Sequence, residues 1–231
     1  MSSDMRVGMD SSTINGFAQK AAPCAGLRIG DTAPDFAARS TSGDVRLSEY
    51  RGRWLVLFSH PADFTPVCTT EFVALAREAD EFERRGCGLM ALSVDSLFSH
   101  FAWLRMIRDR FDVEVRFPIL EDPTLVIARA YGMVGPEDHD SSAVRTTFFI
   151  DPEGKIRAMA CYPANVGRSI PEMLRTLDAL QAVDEGPVLA PANWLPGQNL
   201  LRQPTAKLDD VFAAKDQSDW FLREVKGRPR T

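Results

Sequence analysis

Cys68 lies in the run Ser59-His60-Pro61-Ala62-Asp63-Phe64-Thr65-Pro66-Val67-Cys68-Thr69-Thr70-Glu71-Phe72, where an apolar, strand-like stretch gives way to residues at helical spacing. A cysteine in the first turn of a helix faces unpaired backbone N–H groups and the positive end of the macrodipole, and both favour the thiolate. The thiolate is the nucleophile, so the placement predicts a thiol enzyme and leaves its electrophile open. Thr65-Pro66 reads as a helix cap followed by proline at the first helical position, which makes Cys68 the third helical residue. The Thr65 hydroxyl either caps the helix alone or also contacts a substrate oxygen. Pro61 either shields the site or simply stiffens the turn.

A helix terminus shifts a thiol only part of the way to thiolate, so a nearby cation is expected. Arg145 opens the apolar run Thr146 to Ile150, where a guanidinium offers several fixed N–H groups at once. On the residues alone, the plainer reading of Arg145, a surface arginine at a strand end, is preferred. Arg168, in Asn165-Val166-Gly167-Arg168, is a second candidate, and Glu71, one turn after Cys68, is placed to orient either arginine. His60 either tunes the thiol or, as a histidine at a strand end more often does, satisfies local hydrogen bonds.

Four cysteines, Cys24, Cys68, Cys87 and Cys161, show no C-x-x-C pair and no metal-ligand spacing, which argues against a zinc site or a disulfide scaffold. Cys87 and Cys161 sit in apolar strands and read as small buried groups. Cys24 sits in a stretch without period and has wide reach. His100 and His139 do not recur at metal-site spacing, and Glu137-Asp138-His139-Asp140 reads as a solvated loop. Neither a metal nor an organic cofactor is expected.

The elements that must position these groups follow from the hydrophobic period. Asp35-Phe36-Ala37 and Val45-Arg46-Leu47 read as short strands around Ser42-Gly43-Asp44, and Ser48-Glu49-Tyr50 leads into a turn. Trp54 to Phe58 is a strand buried on both faces, followed by a helix of about 20 residues from Pro66. Leu89 to Val94 is a second buried strand, and Leu97 to Ile107 a second amphipathic helix. Phe117 to Leu120 is a short strand and Leu125 to Tyr131 a short helix. Thr146 to Ile150 and Lys155 to Cys161 form a hairpin, and Ile170 to Val183 is the last long helix. This order implies an α/β fold, a thioredoxin-like mixed β-sheet flanked by helices on both faces. Cys68 then lies at the carboxyl edge of the sheet, where open α/β folds bind ligands. Residues 1–26 are expected to be an irregular extension and 27–186 the domain proper. Residues 187–231, punctuated by proline, read as an extended C-terminal arm packing on this or a neighbouring subunit, with Leu208 to Ala214 a short helix.

The 231 residues carry a formal net charge of -5, which argues against nucleic acid and anionic membranes as partners, and Gly227-Arg228-Pro229-Arg230 reads as a solvated tail. There is no run of 18 apolar residues and no secretory pattern at the start, so a soluble, cytoplasmic protein is expected.

The stretch from His60 to Phe72 resembles the peroxiredoxin active-site motif, Pro-x-x-x-Thr-x-x-Cys, with Pro61, Thr65 and Cys68 in register. Gly30-Asp31-Thr32-Ala33-Pro34-Asp35-Phe36 looks like the opening of that AhpC/TSA-like family and Leu92-Ser93-Val94-Asp95-Ser96 like its second core strand. Arg145 matches its active-site arginine, which reverses the plainer reading above. Ser59-His60-Pro61, the residues from Phe64 to Glu71, and Pro191-Ala192-Asn193-Trp194 in the arm are similar to the one-cysteine branch, the sixth mammalian type. The resemblance implies attack of the Cys68 thiolate on a hydroperoxide, giving a sulfenic acid, with Arg145, the Thr65 hydroxyl and first-turn N–H groups stabilising the departing oxygen. It also implies an external thiol reductant, thioredoxin, glutathione or similar, and a homodimer or a ring of dimers. Two departures matter. Ala190 stands where two-cysteine relatives carry a resolving cysteine, and Gly52-Arg53-Trp54-Leu55 replaces the Gly-x-Ser-x-Gly of some one-cysteine relatives, so phospholipase activity is not carried over. A disulfide reductase is disfavoured by the lone cysteine of the motif. The other alternative is a redox-switched holdase or peroxide-signalling protein with little turnover.

Overall fold

Each change of hydrophobic period along the chain becomes a change of element in the computed structural model, which describes residues 26–135, 145–213 and 220–227. β1 (Ala37–Ser40) and β2 (Gly43–Arg46) form an antiparallel hairpin. The strands lie slightly off their expected positions because the flanking residues bond elsewhere: the Asp35 carboxylate accepts from the Ser48 backbone at 3.0 Å. Leu47–Tyr50 is consequently a 3-10 turn. β3 (Trp54–Ser59) leads to α1 (Pro66–Arg84), β4 (Cys87–Ser93), α2 (Leu97–Phe111), β5 (Ile119–Glu121) and α3 (Val126–Ala130). After residues 136–144, which carry His139 and lie outside the described residues, come β6 (Arg145–Ile150), β7 (Ile156–Tyr162) and α4 (Ile170–Asp184). The extension with Cys24 and the terminal Arg228-Pro229-Arg230 also lie outside the described residues.

One seven-stranded sheet results, in the order β2-β1-β5-β4-β3-β6-β7. β3, β4 and β5 are parallel, β6 runs antiparallel to β3, and β7 is antiparallel to β6. Alternation along β3 sorts its side chains: Trp54, Val56 and Phe58 join one core with Phe72 and Leu75 of α1, Trp103 and Ile107 of α2, and Leu177 of α4. Leu55 and Leu57 face the opposite core, with Met90, Leu92, Phe148, Ile127 and Tyr131. The three long helices therefore cover one face, and the second face is covered by short α3 and the segment around Ala33 and Leu47. The same parity in β6 sends Arg145, Thr147 and Phe149 toward the face of α1, since Thr147 pairs with Phe58.

Helix ends are set locally. α2 starts where the Ser96 hydroxyl accepts from Ser99 N–H and stops at Asp112 in the left-handed region, φ 53. α1 stops before Gly86, whose φ of 61 suits glycine. The arm, expected to be extended, folds further: β8 (Val188–Leu189), β9 (Leu200–Arg202), α5 (Leu208–Ala213) and β10 (Glu224–Val225) follow, and the three strands pair antiparallel. Strands of two or three residues carry no alternation to read, which is why the pattern did not reveal them. Trp194 is buried in this region, and its carbonyl accepts from Arg175 of α4 at 3.4 Å. No helix among the described residues is long and apolar enough to cross a membrane.

The two cores make a separable prediction. Leu57→Ala, on the face away from α1, is expected to cost about 2–5 kcal/mol of stability. Alkylation of Cys68 should stay within roughly threefold of wild type, because additive effects are the rule for sites that share no partner. Denaturant melts and timed alkylation measure both.

Candidate active site

β3 delivers the chain to the carboxyl edge of the sheet, and the His60 N–H extends the ladder by donating to the Leu92 carbonyl at 3.0 Å. The connection to α1 is short and bent. Phe64 takes a φ of 57, a conformation that costs a side-chain-bearing residue about 1–2 kcal/mol, before Thr65 returns to extended backbone. Pro66 then opens the helix at its first position and Cys68 follows as the third residue, fully buried.

Thr65 does not cap α1 through its side chain. Its hydroxyl donates to the Ala62 carbonyl at 2.9 Å, and its oxygen accepts no N–H of the first turn of α1. Thr65 stands at the N-cap position expected from the sequence, but the side-chain hydrogen bond that a cap would make is missing.

Arg145 is the cation beside the sulfur. Its Nη1 lies 3.3 Å from Cys68 Sγ and donates to Glu71 Oε2 at 2.7 Å, while Nε and Nη2 donate to the Ala164 carbonyl at 3.1 and 2.7 Å. Arg145 is 1% exposed, so the reading of it as a surface residue fails. Glu71 is clamped from the other side by Arg168, whose Nε and backbone N–H donate to Oε1 at 2.9 and 2.7 Å and whose Nη2 donates to Oε2 at 2.7 Å. The Arg168 guanidinium also stacks 4.9 Å from the Phe58 ring centre. Burial pushes the Glu71 carboxyl up, but the hydrogen bonds and charge of Arg168, with the charge of Arg145, hold it below the usual carboxylate range. Gly167 allows this loop to approach: a Cβ there would sit 3.3 Å from Val67 of α1. Pro61 is buried beside the same bend.

His60 goes elsewhere. Its Nε2 bonds Asp63 Oδ1 at 3.0 Å, and His100 Nδ1 of α2 bonds Asp63 Oδ2 at 2.7 Å. The structure thus joins His60, Asp63 and His100 into a buried cluster of metal-ligand types, where spacing along the chain had suggested nothing for His100. Its members come from a strand end, a loop and a helix, and no linear pattern relates them. Burial raises Asp63, yet the bonds from His100 and His60 bring it down to about 2. Burial also lowers His60, with Asp63 opposing.

The remaining cysteines separate by environment. Cys87 is a free, buried thiol, as expected, and burial pushes it up to about 12. Cys161, expected to be a buried apolar group, is exposed on β7 and disulfide-bonded. Its strand forms the sheet edge, where alternation no longer implies burial.

A fully buried sulfur at a helix start, touched by a guanidinium that is itself locked to a carboxylate, on a thioredoxin-like sheet, defines a thiol-dependent peroxidase class once the relatives are considered. Residues 29–159 match the AhpC/TSA family and residues 179–215 match the C-terminal domain of 1-Cys peroxiredoxin, and the chain belongs to the AhpC/TSA family of peroxiredoxins. A peroxiredoxin of Aquifex aeolicus is 49% identical over 214 residues, covering 86% of this chain and 96% of that protein. Peroxiredoxin 2 of Caldanaerobacter subterraneus is 47% identical over 201 residues, covering 84% and 91%. Among solved structures, yeast mitochondrial 1-Cys peroxiredoxin superposes with a TM-score of 0.78 at 39% identity, covering 87% of this chain and all of that one. A cysteine-to-serine mutant of peroxiredoxin 6 of Arenicola marina gives 0.77 at 32% identity, covering 89% and 100%.

The cluster at Asp63 sets a pH dependence. His60 is lowered from 6.5 in the fold, so the unfolded chain takes up that proton first, and the associated stability is full above about 6.5 and lost on acidification. Asp63 falls from 3.8 to about 2, so its share is full above about 4 and lost as the pH approaches 2. Urea melts at neutral pH, near pH 5 and near pH 3 should therefore show falling stability at each step. In His60→Gln, whose amide keeps a donor at the Nε2 position but does not titrate, the loss between neutral pH and pH 5 should shrink.

Proposed function

We propose that the Cys68 thiolate attacks the terminal oxygen of hydrogen peroxide or an organic hydroperoxide. The S–O bond forms as the O–O bond breaks, sulfur is oxidised to a sulfenic acid, and the departing oxygen takes a proton and leaves as water or an alcohol. The contact that carries this reading is Arg145 Nη1 at 3.3 Å from Cys68 Sγ, because the same guanidinium that stabilises the thiolate is on hand for negative charge developing along the O–O bond. The uncapped N–H groups of the first turn add to that field. The Thr65 hydroxyl, already donating to Ala62, keeps its lone pairs for the peroxide O–H. Pro61 shields the pocket, while Glu71 and Arg168 hold Arg145 in place.

Recycling by an external thiol completes the cycle: two reductant thiols become one disulfide, the sulfenic oxygen leaves as water, and Cys68 returns to the thiol. This reading is supported by Cys87 being buried in the core, by Cys161 being disulfide-bonded, and by Ala190 in the arm. The yeast mitochondrial relative has its thiol resolved through glutathione and thioredoxin systems, and a reductant of that class is proposed here. Assembly into a homodimer or a ring of dimers is supported by the exposed aromatic side chains Phe64, Phe98 and Phe101.

Cys68→Ser should abolish peroxide consumption; turnover at the wild-type rate would falsify the proposal. Arg145→Met is expected to slow Cys68 oxidation about 10²- to 10³-fold. Thr65→Val should be slowed by about tenfold or more while Thr65→Ser stays near wild type, since only the latter keeps a hydroxyl. Stopped-flow mixing with peroxide and mass detection of the added oxygen measure each. Intact mass after one equivalent of peroxide tests the recycling step, because a gain of one oxygen supports external reduction and a loss of two hydrogens points to an internal resolver. Negligible turnover with every thiol, alongside client binding by the oxidised protein, would favour the holdase reading.

A further inference from the structure

The bend that starts α1 is held by a carboxylate that the peroxide chemistry does not use. Asp63 immediately precedes Phe64, the residue with φ 57, and its side chain is 1% exposed. Both of its oxygens are taken by imidazoles, Oδ1 by His60 Nε2 and Oδ2 by His100 Nδ1. Its backbone N–H donates to Asp95 Oδ2 at 2.8 Å, and that oxygen also receives the Ser93 hydroxyl. One residue is thereby tied to the ends of β3 and β4 and to the first turns of α2. A strained conformation persists only where its surroundings over-determine it, and these ties surround Phe64.

The arrangement has a visible cost. An ionised carboxylate only accepts, so His60 must carry its proton on Nε2 and His100 on Nδ1. The opposite ring atoms, His60 Nδ1 and His100 Nε2, are buried with no hydrogen-bond partner among the described residues. α2 also reaches the first turn of α1 through Trp103 Nε1, which donates to the Thr69 hydroxyl at 3.2 Å, and that hydroxyl donates to the Thr65 carbonyl at 2.8 Å.

We propose that Asp63 and His100 are positioning residues for Cys68: the carboxylate clamped between two imidazoles fixes the bend before α1 and so keeps the sulfur against Arg145. This rests on Cys68 being the peroxide-attacking thiol. Neither residue touches the reacting atoms. Asp63 acts through the loop that carries it and His100, on α2, acts through Asp63, and a small misplacement of a nucleophile is enough to lower its rate strongly.

His100 gives a test that separates the hydrogen bond from mere packing. Asparagine places an amide N–H near the Nδ1 position, whereas glutamine places it near Nε2 and cannot serve Asp63 in the same way. In the full chain, His100→Gln should slow sulfenic acid formation by about tenfold or more and move the pH profile of Cys68 alkylation to higher pH. His100→Asn should stay within roughly threefold of wild type on the first readout and leave the second in place. Thermal melts of both variants separate a stability loss, which would not displace the alkylation profile, from loss of positioning. Equal behaviour of the Asn and Gln variants, whether both active or both impaired, or worse behaviour of Asn, would overturn the clamp. The alkylation profile needs no peroxide, so it reports on the clamp even if Cys68→Ser were to retain turnover and sink the reading above.

Discussion

Charge balance inside a closed site is the constraint on which the rest of this structure depends. Arg145, Arg168 and Glu71 are all buried around Cys68, and two guanidiniums against one carboxylate leave one uncompensated positive charge. An unpaired buried charge is costly, and loss of the thiol proton removes it. In the proposed chemistry the Cys68 thiolate is the fourth member of a neutral set whose other three charges are already in place.

The fold makes such a set attainable by bringing distant segments to one sheet edge. β3 and β6 are neighbours and antiparallel, so the end of one lies beside the beginning of the other. Cys68 follows β3 across a short bend, and Arg145 opens β6 on the same face. The loop after β7 returns Ala164 and Arg168 to the same place, where a carbonyl and a second guanidinium lock the first. Every nitrogen of the Arg145 guanidinium is engaged, which fixes its plane as well as its position.

The cluster of His60, Asp63 and His100 includes a residue of the same bend and is given a different job here. It contains polar groups that the chemistry does not require, packed among Phe72 and Trp103. Its value lies in geometry, since hydrogen bonds hold a loop at a defined angle in a way that apolar packing does not. Local backbone strain and buried polar groups often accompany one another at such sites.

Much of this was legible in the chain. The long elements follow from period and composition, because a continuous apolar strand and a helix with residues at i, i+3 and i+4 are each specified within a short window. Cys68 at the third position of α1 was set by Thr65, Pro66 and the strand before them, all local. Glu71 and Arg168 were legible as candidates, whereas the uncapped helix start, the exposure of Cys161, the small sheet in the arm and the role of His100 were not. What the sequence alone determined was which residues were candidates for reaction and which long segments would be helix or strand. What only the tertiary structure decided was which of the polar groups meet: whether the Thr65 hydroxyl turns to the helix or to Ala62, and whether His60 faces the sulfur or Asp63. Hydrogen-bond partners are chosen by three-dimensional proximity among competing acceptors a few ångströms apart, and spacing along the chain carries no record of that competition.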